Sequence, residues 1–465
     1  MLQMVALCPH PAIIIPEIGK EELNQVTRTV NAMSELSMEI KKLDPELIIF
    51  ITPHGAVFRD AITIPKLDNI AGSFRKFGAD ISLRRKIAGG FRRILLQEAR
   101  QIEAVVVELD SVDAHNYSVK LELDHGILVP LYYLNKAGVD TPILPINMGM
   151  LPYYQLYEFG MCLQKAIAGE NKKAVVIISG DFSHRLTPDA PAGFDPQGKV
   201  FDEIVVQSIA EGDVLRLFNI DHKIINKAGE CGLRPLVMGL GALDGFAIRS
   251  KVYSYEGPFG VGYLVAEIRP DVAMESRILL EKIKENDKNR MDKIRAGESW
   301  LVKWARENLE SYLKTGRSLA IPDEVPPEFK SRQGVFVSIK KDGHLRGCIG
   351  TIRPTKSSIV EEVQDNVLKA ALEDPRFEPV EEEELTQLIY SVDVLATPES
   401  IDSIEQLDPE TYGVIVKKGL RQGLLLPKLE GIENVEEQVA VAKQKAGIRP
   451  QEEVEMERFK VTRYD

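Results

Sequence analysis

Histidines stand at the ends of three short apolar runs of the sequence. The runs, each with the histidine that it reaches, are VALCPH with His10, LIIFITPH with His54, and AVVIISGDFSH with His184. Apolar, β-branched runs of this length predict buried strands, and a proline or glycine interrupts the strand ladder just before each imidazole. Ligands of open α/β sheets bind at the carboxyl edge of the strands. We therefore expect His10, His54 and His184 to lie together on one rim.

Such a rim has the chemistry to bind a transition metal. Two neutral imidazoles and one carboxylate, with coordination positions left open, are typical of non-haem ferrous iron that reacts with dioxygen. Glu230 in AGECGLRPL is the candidate carboxylate, although an acid at a predicted helix start is also an ordinary capping residue. Cys231 is a softer rival that would favour copper or zinc. Adjacent helical side chains diverge by about 100°, so we predict Glu230 as the ligand and Cys231 packed against the sheet.

Further residues near these motifs are candidates for substrate binding. Arg234, in the same predicted helical turn as Cys231, has the geometry to bind a carboxylate through two hydrogen bonds, and a plain surface arginine is the alternative. His115 is a second candidate. It is one of five histidines that lie beside turn or strand-end signals, namely His10, His54, His115, His125 and His184.

The first 270 residues alternate predicted strands with predicted helices. We place strands at 4–8, 47–52, 104–109, 142–147, 174–179, 251–256 and 262–268. We place amphipathic helices near 21–42, 80–103, 154–168 and 198–212. Alternation of this kind predicts a layered α/β domain with a largely parallel sheet, which we assign to residues 1–270.

The remainder of the chain is predicted to form a linker and a second domain. Residues 271–293 are highly charged and predict a partly helical linker. From 294 to 465, helices near 300–315, 357–373 and 434–446 mix with strands at 334–340, 388–395 and 412–417 without a regular rhythm. This pattern predicts an α+β domain, in which Gly316 caps the first helix and HLRGCIG lies between a strand and a helix.

Composition narrows the classes of function. The 465 residues carry a formal net charge of -12, so a basic surface for nucleic acid is not expected. The sequence offers neither a basic leader nor a run of about 18 apolar residues, and we expect a cytoplasmic protein without membrane contact. Four cysteines without a CxxC pair indicate neither a disulfide framework nor a zinc ribbon.

Five motifs within residues 1–270 carry a resemblance to a known family. In chain order they are CPHPAIII, ITPHG, LDHGILVPLYYL, ISGDFSHRL and AGECGLRPL. They resemble the class III extradiol ring-cleavage dioxygenases of LigB type and their relatives, the Memo proteins. The resemblance implies ferrous iron on His10, His54 and Glu230. It implies His184 as acid/base and His125 as a second catalytic histidine. The Memo branch has a cysteine in place of the acid, so the resemblance leaves Glu230 and Cys231 open.

Residues 294–465 separately resemble the AMMECR-type domain. The resemblance runs through GVFVSIKKDGHLRGCIGTIRP, ALEDPRFEPV, YGVIVKKGLRQGLLLP and EEVEMERFKVTRY. It implies that the chain fuses two parts of the AmmeMemoRadiSam set, whose third member is a radical-SAM protein. Cys348, like Cys231, is a candidate reactive thiol, because a thiolate beside Arg346 would be favoured; a small buried apolar residue is the alternative.

Two functions follow as hypotheses. The first is a ferrous-iron oxygenase that acts with dioxygen on an aromatic, diol-like substrate, with zinc and copper as alternative metals. The second is a non-oxygenase metal-binding protein that acts with a radical-SAM partner, the AMMECR-type domain serving as a docking or redox module. The sequence leaves the substrate and the oligomeric state open.

Overall fold

The computed structural model describes residues 1–341, 343–429, 432 and 434–465. The chain divides into two compact units, Met1–Lys288 and Asn289–Asp465. The division falls within the segment 271–293 that was predicted as a linker. Among the described residues, none of the helices combines the length and apolar character needed to span a bilayer.

The first unit is built on a mixed sheet with the strand order β6-β3-β7-β2-β8-β1-β10-β9, and β4 pairs separately with β5. The pairs β1-β8, β8-β2, β2-β7 and β3-β6 are parallel, which confirms the largely parallel sheet of the prediction. The strands are β1 (Leu2–Cys8), β2 (Leu47–Thr52), β3 (Ile62–Pro65), β4 (Asn69–Ser73), β5 (Ser82–Lys86), β6 (Val106–Leu109), β7 (Ile143–Asn147), β8 (Ala174–Ser179), β9 (Phe246–Glu256) and β10 (Tyr263–Ala273).

Helices lie on both faces of this sheet. The helices that begin in the first unit are α1 (Pro16–Gly19), α2 (Thr27–Leu43), α3 (Gly89–Gln101), α4 (Ser111–Asn116), α5 (His125–Lys136), α6 (Tyr153–Glu170), α7 (Pro196–Glu211), α8 (Val214–Phe218), α9 (His222–Ala228), α10 (Leu233–Gly241) and α11 (Leu280–Gly297). Gly239 of α10 packs on Ile178, whereas Gly126 of α5 packs on Ser179. Successive residues of a strand point to opposite faces, so α10 and α5 lie on opposite sides of β8.

Close helix packing fixes one of these layers. Gly160 of α6 lies against the backbone of Met238, and Gly241 of α10 lies against the backbone of Tyr157. A side chain at either glycine would collide with a carbonyl oxygen. The glycines at these two positions therefore serve close helix packing.

One helix prediction in this unit is wrong in part. The segment 80–103 was predicted as a single helix, but Ser82–Lys86 forms strand β5, and the helix begins at Gly89. Leu83 and Arg85 are buried while their neighbours Ser82, Arg84 and Lys86 are exposed. This alternation has a period of two, which is the period of a strand.

The second unit contains two four-stranded sheets, ordered β12-β11-β13-β18 and β14-β17-β15-β16. Its strands are β11 (Gly334–Lys341), β12 (His344–Gly350), β13 (Leu388–Leu395), β14 (Glu399–Ile401), β15 (Gly413–Lys418), β16 (Arg421–Leu425), β17 (Glu455–Phe459) and β18 (Val461–Tyr464). Its helices after α11 are α12 (Trp300–Thr315), α13 (Ile359–Leu372) and α14 (Val435–Lys445). This is the α+β class that was predicted.

Two details of the second unit bear on the sequence predictions. Gly316 ends α12 at φ +72° and its N–H donates to the carbonyl of Tyr312, which confirms the predicted cap. The sequence predicts that HLRGCIG lies between a strand and a helix, but the segment is itself strand β12, paired with β11 from Phe336↔Gly350 to Lys341↔His344. Its glycines hid the strand from pattern reading.

Candidate metal centre

The central parallel strands bring the predicted histidines to one edge of the sheet. Strands β2, β8 and β1 are neighbours and run parallel, so their carboxyl ends lie side by side. His10 and His54 each follow a strand by two residues, and their Nε2 atoms are 2.9 Å apart. The prediction that these two imidazoles converge is confirmed.

His125 completes a cluster of three histidines. Its ring centroid lies 5.0 Å from that of His10 and 4.3 Å from that of His54. One ligand nitrogen from each of the three rings lies within 4.8 Å of the others. His125 begins α5, where the Asp124 carboxylate accepts hydrogen bonds from Gly126 N–H and from the hydroxyl of Thr52 at the end of β2. These hydrogen bonds connect the start of α5 to the end of β2, the strand that precedes His54.

Residues at the end of β8 orient the ring of His10. Its Nδ1 is hydrogen bonded to the hydroxyl of Ser179 at 2.9 Å, and its backbone N–H donates to Asp181 Oδ1 at 2.9 Å. A partner on Nδ1 fixes the direction of the ring and leaves Nε2 to face the cluster. Ser179 and Asp181 were not assigned a role from the sequence, although both lie in the ISGDFSH motif.

The histidines of the site are electrically neutral at pH 7. Burial, with the neighbouring histidines, holds the pKa of His10 well below its usual value of 6.5. Desolvation and nearby charges lower the pKa of His54 and of His125 to about 4, and burial lowers the pKa of His184. A neutral imidazole offers a lone pair, which is the form that binds a metal.

Cys231, rather than Glu230, contacts the histidines. The sulfur of Cys231 lies 3.6 Å from His10 Nε2 and 3.9 Å from His184 Nε2. Cys231 was predicted to pack against the sheet; it does lie against the end of β8, but its sulfur also faces His10 and His184. The Glu230 carboxylate instead accepts a hydrogen bond of 2.6 Å from Leu233 N–H at the start of α10. Glu230 thus has the capping role that was the alternative to its assignment as a ligand.

The reason is where the helix begins. The cap of α10 is Gly232, so Glu230 and Cys231 both precede the helix and the angle of about 100° between helical neighbours does not apply to them. Cys231 N–H donates to the carbonyl of Asp181, and Asp181 N–H donates to the Cys231 sulfur. These two bonds hold the thiol against the carboxyl end of β8.

The donor set fits a metal ion. Two nitrogens bound at about 2.1 Å to one ion, at cis or tetrahedral angles, lie roughly 3.0–3.4 Å apart, close to the separation of His10 and His54. Burial and the Asp181 charge raise the pKa of the Cys231 thiol, so a bound cation would be needed to deprotonate it. Imidazoles with a thiolate form a softer set than the predicted histidines with a carboxylate.

Two acid/base groups border the cluster. His184, predicted as the acid/base, is adjacent to the Cys231 sulfur and donates its backbone N–H to the carbonyl of Ala228. Asp181 has one carboxylate oxygen 3.7 Å from His10 Nε2, and burial raises its pKa to about 7. A carboxyl group with this pKa exchanges its proton readily near neutral pH.

The other predicted residues lie in different surroundings. Arg234 is buried, with its guanidinium carbon 5.1 Å from the centre of the Tyr153 ring. His115 is exposed near the end of the short helix α4, outside the histidine cluster, and its role stays a prediction.

Cys348 lies in the second unit on strand β12. Its sulfur accepts a hydrogen bond from Ser338 Oγ at 3.2 Å, and its N–H donates to Asp374. Arg346, expected beside the thiol, forms an ion pair with Glu384 at 2.7 Å instead. The reactivity of Cys348 therefore stays a prediction, without the support that Arg346 was expected to give.

Comparison with known families finds two matches along the chain. Residues 4–266 match the family described as the catalytic LigB subunit of aromatic ring-opening dioxygenase. Residues 302–465 match the AMMECR1 family. The first match contains every residue of the histidine cluster.

One relative matches nearly the whole chain, and others match only part of it. A protein of Clostridium acetobutylicum is 41% identical over 464 residues, covering 98% of each chain. A protein of Thermotoga maritima is 50% identical over 171 residues, which is 36% of this chain and 98% of its own. Among solved structures, an uncharacterized protein from Pyrococcus horikoshii is 36% identical, with a TM-score of 0.34, over 36% of this chain and 89% of its own. One from Escherichia coli K12 is 15% identical, with a TM-score of 0.39, over 57% and 99%.

Proposed function

Because the chain belongs to the LigB family and carries a second, AMMECR1 domain, we propose that its first unit is a metal-dependent oxidoreductase for a small, aromatic-like substrate. The observation that carries the proposal is the convergence of His10, His54 and His125 with Cys231 at the carboxyl edge of the sheet. Neutral, oriented imidazoles around one point are the arrangement of a metal site rather than of a packed core.

We assign His10, His54 and His125 as the residues that would hold the metal, with Cys231 beside His10 as a further ligand. A thiolate in the set favours zinc or copper over ferrous iron, which was the expectation from the sequence. A metal bound there would supply Lewis acidity, or electron transfer if it is redox-active. The Ser179 hydroxyl would keep the ring of His10 in its binding orientation, and the Asp181 carboxylate would hold the backbone of His10.

The surrounding residues would position the substrate and move its protons. His184, neutral because its pKa is lowered, would accept a proton from a substrate hydroxyl at Nε2. Asp181, with a pKa of about 7, would return or store a proton. Phe77, whose ring centroid lies 5.9 Å from that of His125, would form an apolar wall beside the substrate and exclude water.

Ring opening with dioxygen is the activity that the family description favours. The contact of Cys231 with His10 favours a second candidate, a non-oxygenase metal protein that acts with a radical-SAM partner, because a thiolate beside dioxygen is prone to oxidation. The two candidates share the metal site and differ in whether dioxygen is consumed.

The test is to purify the protein without oxygen and to load it separately with ferrous iron, zinc and copper(I). We expect one ion per chain in the wild type and none in His10→Ala. His115→Ala serves as a matched control, because it removes a histidine outside the cluster. Oxygen uptake with a panel of catechols would support ring opening, and metal binding without uptake would support the second candidate. Absence of metal binding in the wild type would overturn the proposal.

A further inference from the structure

Strands of the second unit place three polar side chains in one row across a sheet. Ser338 of β11 is paired with Cys348 of β12 on one side and with Ser391 of β13 on the other. Residues paired across neighbouring strands point to the same face of a sheet, so one thiol and two hydroxyls lie side by side. All three residues are half-buried, and the Ser338 hydroxyl donates a hydrogen bond of 3.2 Å to the Cys348 sulfur.

The opposite face of this sheet belongs to the core of the unit. Val337 and Ile339, the neighbours of Ser338 along β11, are fully buried there, as is Val392 beside Ser391. Successive side chains of a strand alternate between the two faces, so the row lies on the face turned away from that core. Apolar packing therefore does not account for the three polar side chains.

Two arginines lie near the Cys348 sulfur, each held by a buried aspartate. Arg376 donates from Nε and Nη2 to Asp374, at 2.9 and 2.6 Å. Arg463 donates in the same way to Asp393, at 2.8 and 2.7 Å. Hydrogen bonds to these aspartates, with the Cys348 sulfur nearby, hold the pKa of both guanidinium groups above its usual value. Both aspartate side chains are 2% exposed, whereas those of the arginines are 55% and 52% exposed. The two cations are thus fixed in position while about half of each arginine side chain stays open to solvent.

Two other cysteines of the chain lack this access to solvent. Cys8 and Cys162 are buried, and burial raises the pKa of both thiols, that of Cys162 to about 11. A thiol reacts as its thiolate and has to meet its reagent, so buried thiols in apolar surroundings are inert. Cys348 instead combines partial exposure with two nearby cations, which attract an anionic reagent.

We propose that Cys348 forms a reversible mixed disulfide with a small disulfide whose carboxylates bind Arg376 and Arg463. The Cys348 sulfur, as thiolate, attacks one sulfur of the disulfide, so that a new S–S bond forms and the old one breaks. The second sulfur leaves with the bonding electrons and takes up the proton that Cys348 released. Cys348 is thereby oxidised and the small disulfide is reduced. Guanidinium groups bind carboxylates through charge-assisted hydrogen bonds, which select the anionic reagent. The second unit thus has a redox site of its own, and the inference does not depend on the metal centre.

The first test compares disulfides of different charge on the full chain. The three probes are anionic oxidised glutathione, neutral 2-hydroxyethyl disulfide and cationic cystamine. Peptide mass spectrometry follows the mixed disulfide at each cysteine, and each rate is divided by that of free 2-mercaptoethanol with the same probe. We expect Cys348 to react about 10-fold faster with oxidised glutathione than with the neutral disulfide, and slowest with cystamine, because nearby cations concentrate an anion.

Salt tests the charge effect without any substitution. The preference of Cys348 for oxidised glutathione should shrink at about 1 M salt, because half-exposed charges are screened. Equal relative rates for the three probes, or a preference that salt leaves unchanged, would overturn the proposal. Reaction of Cys348 no faster than that of the buried Cys162 would overturn it as well.

Arginine variants separate charge from structure. Arg463→Gln removes the positive charge and leaves an amide that donates to Asp393. We expect it, and Arg376→Gln, to lower the preference for oxidised glutathione several-fold while the rate with the neutral disulfide changes little. Arg421→Gln is the matched control, because it removes a paired arginine of similar exposure, 42%, from β16 in the other sheet of the unit. An unchanged preference in both test variants, or an equal fall in Arg421→Gln, would overturn the proposal.

Discussion

Substituting Glu230 and Cys231 separately should show which of these neighbours caps the helix and which binds the metal. Cys231→Ser removes the sulfur that lies 3.6 Å from His10 Nε2. Glu230→Ala removes the carboxylate that caps α10. We expect the serine variant to lose metal affinity and the alanine variant to lose stability. Each variant is the control for the other, because the two residues are adjacent and share the same loop.

The structure sets the size of each effect. Loss of the 2.6 Å bond between Glu230 and Leu233 N–H should cost about 1–2 kcal/mol of unfolding free energy, the range for a helix cap with a charged acceptor. Metal affinity in Glu230→Ala should stay close to that of the wild type. Residues that only support a ligand are worth about 10–100-fold in affinity, so loss of the ligand itself should cost at least about 100-fold.

Cobalt(II) gives a direct assay, since a bound thiolate produces a charge-transfer absorption that a serine cannot. We expect this band in the wild type and in Glu230→Ala, and not in Cys231→Ser. Urea unfolding followed by circular dichroism measures the stability change. Tight metal binding by Cys231→Ser together with weak binding by Glu230→Ala would refute the reasoning and restore Glu230 as the ligand.

Three further predictions concern stability. Burial raises the pKa of Asp202 from 3.8 to about 7, so the protonated carboxyl group stabilises the folded state near pH 4. This contribution to the free energy of unfolding, at most about 4 kcal/mol, is lost as the pH rises from 4 through 7. Urea unfolding midpoints measured from pH 4 to 8 should therefore vary less in Asp202→Asn than in the wild type. A Cβ at Gly160 would lie 2.1 Å from the carbonyl oxygen of Met238, so Gly160→Ala should lower the free energy of unfolding by about 3 kcal/mol. Gly169→Ala in the same helix meets open space and should be neutral or stabilising in urea unfolding. Equal losses of stability in the two variants would contradict the close packing of the two helices. A fragment of residues 289–465 should melt cooperatively, followed by the fluorescence of Trp300 and Trp304; a broad, non-cooperative transition would contradict an independent unit.

The sequence by itself determined the central strands and the rim. Strands β2 and β8 are buried along their whole length, and such strands appear as continuous apolar runs that need no partner to be recognised. The interruption after each run then places a histidine just beyond the carboxyl end. Parallel neighbours share that edge, so the meeting of His10 and His54 followed from local signals and one rule of α/β architecture.

The tertiary structure decided how the remaining side chains reach the site. His125 lies at the start of α5, on the opposite face of the sheet from α10. The hydrogen bond from the Thr52 hydroxyl to the Asp124 carboxylate sets its position. That contact joins residues 72 positions apart, so no local pattern could indicate it. Strand β12 also depends on a long-range contact. Its glycine-rich sequence does not predict a strand, and the segment forms one by pairing with β11.

The choice between Glu230 and Cys231 depended on the geometry of the two residues just before a helix. The sequence predicts a helix that opens at about Gly232, and the angle of about 100° between helical neighbours was applied to the two residues at its start. The helix begins one residue after Gly232, and bonds to Asp181 at the end of β8 turn the thiol towards His10. The start of a helix depends on which groups accept hydrogen bonds from its first backbone N–H groups. In α10, the Glu230 carboxylate accepts the hydrogen bond of Leu233 N–H. Those partners exist only once the chain has folded.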